Sequence, residues 1–185
     1  MTIDYDQIAP RYDRRYALHD YPGIRATILH AVRWRTRPRV LEVGCGSVYL
    51  EASTPGQVLA GCLRNRSAVA ERAARLGGPF GIIPAGERWH DGTLRPSHED
   101  LVAAGAIAAA LPGTRSPETE AAVAVFAASS THLLDSLMSC SSGRELVKRG
   151  FPEDVLMAAE LYVDPVAPEL KGGRFTSGPF GAVGR

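Results

Sequence analysis

Residues 58–84, VLAGCLRNRSAVAERAARLGGPFGIIP, decide how this chain is read. Val58–Leu63 is a short apolar run of the buried-strand type. Asn65 can cap a helix over Ser67–Leu76, and Gly77 with Gly78 stops it. Phe80–Pro84 is a second strand. Strand, helix and strand within about thirty residues predict a βαβ unit, with parallel strands and a right-handed crossover. Ligands collect beyond the carboxyl ends of such strands. Arg64, Asn65 and Ser67 then lie past one end, and Glu87, Arg88 and Asp91 past the next, on a shared edge.

Toward the C-terminus, helices dominate. Ser97 begins one whose apolar residues run to Leu111, and Ser97 with Asp100 also fits a capping box. Ser116, with Pro117 in the first turn, begins a long helix ending near Cys140. Ser142 and Glu145 have capping-box spacing for a short helix closed by Gly150, and Pro152 opens a last one to about Leu161. Asp154 complements the dipole at its start. The Gly-rich tail from Lys171 reads as irregular. Toward the N-terminus, Tyr5–Trp34 has helical spacing, Pro38 breaks it, and Arg39–Val43 is a short buried strand closed by Gly44-Cys45-Gly46. Glu51–Gln57 carries turn residues and is the candidate junction between an N-terminal piece, 1–52, and a C-terminal domain, 53–185. The fold class expected is α/β, three-layer α/β/α, with a parallel or mixed sheet and a helix-rich C-terminal half.

Composition narrows the partners. A formal net charge of +1 over 185 residues gives no electrostatic footprint for nucleic acid or an anionic membrane. The basic run Arg33–Arg39 reads as a solvated helix end. Gly105 and Pro112 interrupt the longest apolar stretch, so no span of the roughly 20 residues that cross a bilayer is expected. No basic n-region with an apolar h-region opens the chain. Cys45, Cys62 and Cys140 lack CxxC spacing and read as thiols in a reducing compartment. The expectation is a cytoplasmic protein.

Two sets of residues carry resemblances. Val40–Gly46, VLEVGCG, with the preceding Tyr5, Asp6, Ala9, Tyr12 and Asp13, resembles the first motif and lead-in helix of class I S-adenosylmethionine-dependent methyltransferases. The pattern departs at Ser47-Val48-Tyr49, where bulk replaces the second glycine, and no acid-terminated strand follows. Val58–Ala70, Ile83–Arg88 (IPAGER), the spaced residues of Asp91–Pro96, Glu99–Ala106, Cys140–Leu146 and Gly150–Val155 are, in this order, similar to the 2-phosphosulfolactate phosphatase family. That resemblance covers about residues 55–180. It implies a magnesium-dependent hydrolase converting 2-phospho-3-sulfolactate to 3-sulfolactate and phosphate, a step toward coenzyme M. It also implies an incomplete member, because an Asp-Val-x-Arg-Ala-Thr segment and a Thr-Asn-Gly-Thr-like segment expected in the family's N-terminal half are missing; Ile24–Thr27 echoes only part of the first.

The residue chemistry suits such a substrate. A small anionic phosphorylated ester calls for arginines with forked donors and for backbone N–H groups at a helix start. Arg64, Asn65, Ser67 and Arg95 are the expected substrate-binding residues. Glu87, Arg88 and Asp91 are the expected catalytic residues. Mg²⁺ takes oxygen ligands, and Glu87, Glu99 and Asp100, with Asp91 nearby, are the expected carboxylates. Glu87 and Arg88 could instead be a structural ion pair, while His90 and His98 read as solvated. Arg144 is a further residue able to reach an anion. Three functions therefore stand open: the phosphatase, a methyltransferase, and a non-catalytic fusion or truncation product held as a homo-oligomer through exposed sheet edges.

Overall fold

A computed structural model of the chain describes residues 39–43, 57–89, 91, 93–171 and 174–177, the first of these by backbone alone. The strands are β1 (Arg39–Val43), β2 (Gln57–Gly61), β3 (Gly81–Pro84), β4 (Glu87–Arg88), β5 (Leu94–Arg95), β6 (Pro168–Lys171) and β7 (Arg174–Ser177). Five of them form one sheet in the order β3-β1-β2-β6-β7, and β4 with β5 form a separate small ladder. β1 is parallel to both β2 and β3, with Val40 opposite Val58 on one side and Gly81 on the other. The two strands of the expected βαβ unit are therefore parallel to each other but are not neighbours. β1 lies between them, a placement that local sequence could not reveal.

The other side of β2 is completed by antiparallel β6, with Leu59 opposite Glu169, and β7 pairs antiparallel with β6. Lys171 and Arg174–Ser177, part of the tail expected to be irregular, thus enter the sheet, and the rest of that tail lies outside the described residues. Arg72 supports this edge, since its Nη2 lies 2.9 Å from an oxygen of the buried Glu169 carboxylate.

Helix α1 (Arg66–Leu76) buries Val69, Ala70 and Ala73, the helical spacing of one face. It stops as expected at Gly77, whose positive φ of 66° lets its N–H reach the carbonyls of Ala73 and Ala74. Helix α2 (His98–Ala110) buries nearly its whole middle, Val102–Ala108, which explains why its apolar residues show no polar face. Helix α3 (Pro117–Ser129) is capped by the Ser116 hydroxyl, which accepts the Thr119 N–H at 3.3 Å. The long helix expected to reach Cys140 is interrupted by a 3-10 turn, Ser130–His132, before α4 (Leu133–Ser139). Helices α5 (Ser141–Lys148) and α6 (Pro152–Ala158) follow.

α1 packs on β2, α2 packs on β3 and β1, and the two helices pack on each other, so they share one face of the sheet. The result is a mixed α/β fold with a mixed sheet. Leu59, Leu63, Val69, Ala73, Val102, Ile107, Leu133, Leu137 and Val155 make its core. The run Pro117–Ser139 corrects the expectation about apolar spans. Its 23 residues are long and apolar enough, by length and composition, to cross a membrane, and only 22% of the apolar window is buried. Its α3 part nevertheless packs tightly on α2: a methyl group placed on Gly105 would sit 2.0 Å from the Ala122 carbonyl oxygen.

Candidate active site

The loop after β3 and the start of α2 bring together most of the acidic residues singled out above. Gly86, with φ 71°, turns the chain after β3 so that its N–H donates to Asp100 Oδ2 at 2.8 Å. Asp100 therefore serves the β3 loop and not a capping box; Ser97 occupies the N-cap position but makes no side-chain cap bond. Asp100 is only 9% exposed. Burial, reinforced by the neighbouring Glu99 charge, pushes its carboxyl up to about 7, against the pull of the Gly86 hydrogen bond.

Glu87 pairs with Arg95 across the β4–β5 ladder, where the two residues are opposite each other, with Arg95 Nε 3.1 Å from Glu87 Oε2. The alternative Glu87–Arg88 pair does not describe Glu87, and the Arg88 side chain lies outside the described residues. Burial raises the Glu87 carboxyl, with Arg95 opposing that rise and Glu99 adding to it. Arg95 also donates from Nη1 to Glu145 Oε2 at 2.8 Å and lies 5.2 Å from the centre of the Trp89 ring. The Arg95 bond holds the Glu145 carboxyl below its usual range, and Arg149 pairs with the same carboxylate.

Glu99 faces the start of α5. Ser142 Oγ donates to Glu99 Oε2 at 2.6 Å, and the Cys140 thiol lies 3.8 Å from the same oxygen. Sequence spacing had assigned Ser142 and Glu145 to a capping box. The structure gives the N-cap to Cys140, whose sulfur accepts the Gly143 N–H, and sends both of those side chains to the acidic cluster. Glu145, Ser142 and Cys140 are thus the residues of this region that sequence reading missed. Their capping signature was genuine chemistry at an ordinary helix start, and nothing local distinguished it from a role in a site.

The expected substrate-binding residues fall on the neighbouring loop, after β2. Asn65 closes that loop: its Oδ1 accepts the Cys62 N–H at 2.8 Å and its Nδ2 donates to the Ala60 carbonyl at 3.3 Å. It stands at the helix N-cap position without a side-chain cap bond. Arg64 pairs with Glu160 and donates to the Met157 carbonyl at 3.2 Å. Ser67 sits half-buried in the first turn of α1. Asp91 Oδ1 accepts from the Thr93 N–H and hydroxyl, which shapes the β4–β5 turn. His98, expected to be solvated, instead lies 2.8 Å from the Ser136 hydroxyl. His90 lies outside the described residues.

Two groupings result. Glu87, Arg95, Glu99, Asp100 and Glu145 form one cluster; Arg64, Asn65 and Ser67 belong to the loop two strands away on the same edge. Among the described residues no three His, Cys, Asp or Glu side chains stand together as a ready set of metal ligands. The donor chemistry of the first cluster, carboxylate oxygen, is nevertheless the kind Mg²⁺ takes.

The methyltransferase-like stretch Tyr5–Glu51 lies outside the described residues apart from Arg39–Val43, which is the interior strand β1. A family model described as 2-phosphosulpholactate phosphatase matches residues 40–173, and so begins inside that strand. The chain is also 32% identical over 155 residues to the 2-phosphosulfolactate phosphatase of Methanothermobacter thermautotrophicus. That similarity covers 83% of this chain and 65% of the relative's length. A match running through β1, both site loops and β6 shows that the chain belongs to the 2-phosphosulpholactate phosphatase family.

Proposed function

We propose that this chain hydrolyses the phosphate ester of a small, multiply anionic substrate of the 2-phospho-3-sulfolactate type, giving 3-sulfolactate and phosphate, a step toward coenzyme M. The family match over residues 40–173 carries the proposal, and the Glu87–Arg95–Asp100 cluster supplies its chemistry. Water forms a bond to phosphorus, the ester P–O bond breaks, and the proton lost by water balances the one gained by the leaving alkoxide. Arg95, fixed by Glu87, Glu145 and the Trp89 ring, offers a planar guanidinium oriented for a phosphoryl oxygen.

Magnesium dependence is part of the same proposal, and charge supports it. Glu87, Glu99 and Glu145 surround the guanidinium of Arg95, with Arg149 beyond, so a phosphate dianion entering alone meets excess negative charge. Glu87, Glu99 and Asp100 do not stand together as a ready ligand set and would have to draw closer to hold the ion, which would neutralise charge on the transferred group. Glu87 is the one best able to exchange Arg95 for a cation, since its side chain is 42% exposed. The three-layer α/β/α arrangement, with both sheet faces covered, and the cytoplasmic location also belong to this proposal.

Phosphate release from 2-phospho-3-sulfolactate, followed with and without Mg²⁺, tests it. Glu87→Gln should lower turnover by roughly tenfold or more while leaving the melting temperature near that of the parent. A folded parent chain that releases no phosphate at any Mg²⁺ concentration would remove the activity and leave only the kinship.

A further inference from the structure

Three attachments tie the irregular segment after α6 to the loop leaving β2. The Asp164 N–H donates to the Arg64 carbonyl at 3.1 Å. The Arg64 side chain holds Glu160 and the Met157 carbonyl. The Tyr162 ring centre lies 4.2 Å from the Arg66 guanidinium carbon, and that of Phe126 from α3 lies 5.0 Å from it. Tyr162 adopts a left-handed φ of 62°, which a side chain of its size seldom accepts, and it remains 54% exposed. Burial of its own ring therefore does not account for this backbone; the contact with Arg66 gives the conformation a purpose.

Arg66 is unlike the other arginines nearby. Arg64, Arg72, Arg95 and Arg149 each pair with a glutamate. Arg66 has no carboxylate partner among the described residues, and its buried Nε and Nη1 make no hydrogen bond. The buried Nε of Arg64, on the same loop, is also unpaired. Charged donors left unmade against apolar walls are costly, which is a reason to look for the group that completes them. Aromatic walls disfavour a strongly hydrated dianion and tolerate a weakly hydrated monoanion.

We propose that Arg66, walled by Phe126 and Tyr162, receives the sulfonate end of the substrate while the Arg95 cluster takes the phosphoryl end. This rests on the phosphatase reading. The loops after β2 and β3 leave the sheet two strand spacings apart, roughly 10 Å; a phosphate and a sulfonate on adjacent carbons span less than that, and the long arginine side chains entering from each loop cover the rest. Arg66 then sets specificity, since the preference for a sulfonated ester over its unsulfonated counterpart comes from this side chain.

Calorimetric titration of the full chain with methanesulfonate and with acetate, at fixed ionic strength, tests the proposal. The parent should bind methanesulfonate more tightly than acetate. Arg66→Met, and Arg66→Lys as the variant that keeps the charge and most of the stem, should each weaken methanesulfonate by at least about tenfold. The same variants should lower the ratio of kcat/KM for 2-phospho-3-sulfolactate over 2-phospholactate by a similar factor. Unchanged methanesulfonate binding in either folded variant, or acetate binding as tightly as methanesulfonate, overturns the assignment. A parent that binds methanesulfonate through Arg66 but hydrolyses neither ester would defeat the phosphatase reading and leave the anion receptor standing.

Discussion

Asp100→Asn should make the protein more stable at pH 8 and lower its turnover by about a hundredfold. The folded chain holds this carboxyl with its midpoint pushed up to about 7, from the 3.8 of a free aspartate. Between those two values the folded state keeps a proton that the unfolded chain has released. Its contribution is therefore fully present below about pH 4, is lost progressively as pH rises through the window, and is gone above about 7. At roughly 1.4 kcal/mol per unit the whole effect is at most on the order of 4 kcal/mol. Asparagine keeps a carbonyl oxygen for the Gly86 N–H while removing the charge that burial opposes. Thermal melts from pH 4 to pH 8 should show the parent losing stability as pH climbs and the variant holding a flatter line, several degrees above it at pH 8. Parallel profiles for the two proteins would mean that Asp100 is not a buried charge. A stabilised variant with full turnover would remove Asp100 from the site. The combination expected, greater stability with lost chemistry, is the mark of a group retained for what it does.

Gly105→Ala should be a severely damaging small change in the helical region. A Cβ there would meet the Ala122 carbonyl oxygen at 2.0 Å, its carbon at 2.6 Å and the Phe126 Cβ at 3.0 Å. Two of these are backbone atoms and cannot rotate away, so α2 and α3 must separate. The helix-propensity gain of alanine over glycine, about 1 kcal/mol, is far too small to offset that. A net loss of about 3 kcal/mol is expected, lowering the melting temperature by roughly 6 to 12 °C in a domain of this size. Because α2 also carries Glu99 and Asp100 in its first turn, turnover should fall with stability. A variant melting within a degree of the parent would show that the two helices are not packed this closely.

The sequence made some of this visible and hid the rest for identifiable reasons. β2, α1 and β3 were legible because their signals are local: an apolar run, Asn65, the Gly77-Gly78 stop and a second apolar run. Strand order was not, because the place of β1 between β2 and β3 depends on pairing between distant segments. Arg174–Ser177 was read as irregular because the tail is rich in glycine, which weakens a strand signal, whereas pairing with β6 decides it. In the site, Glu87, Glu99, Asp100 and Arg95 were legible as charged groups flanking a strand end. What each contacts was not: Arg95 is gripped by Glu87 and Glu145, and Asp100 answers Gly86 rather than its own helix start. Arg66 escaped notice because its rings come from residues sixty and ninety-six positions onward.

The late position of β6 has a consequence for how the chain is made. During synthesis β2 leaves the ribosome more than a hundred residues before Pro168, yet β6 is its neighbour on one side. All six described helices are translated in that interval, while one margin of β2, with its open backbone donors and acceptors, waits for a partner. A ribosome paused before Pro168 would hold a nascent chain whose central β-ladder can recruit a stray strand, so the interval in which a chaperone matters most ends with the last few residues of the sheet.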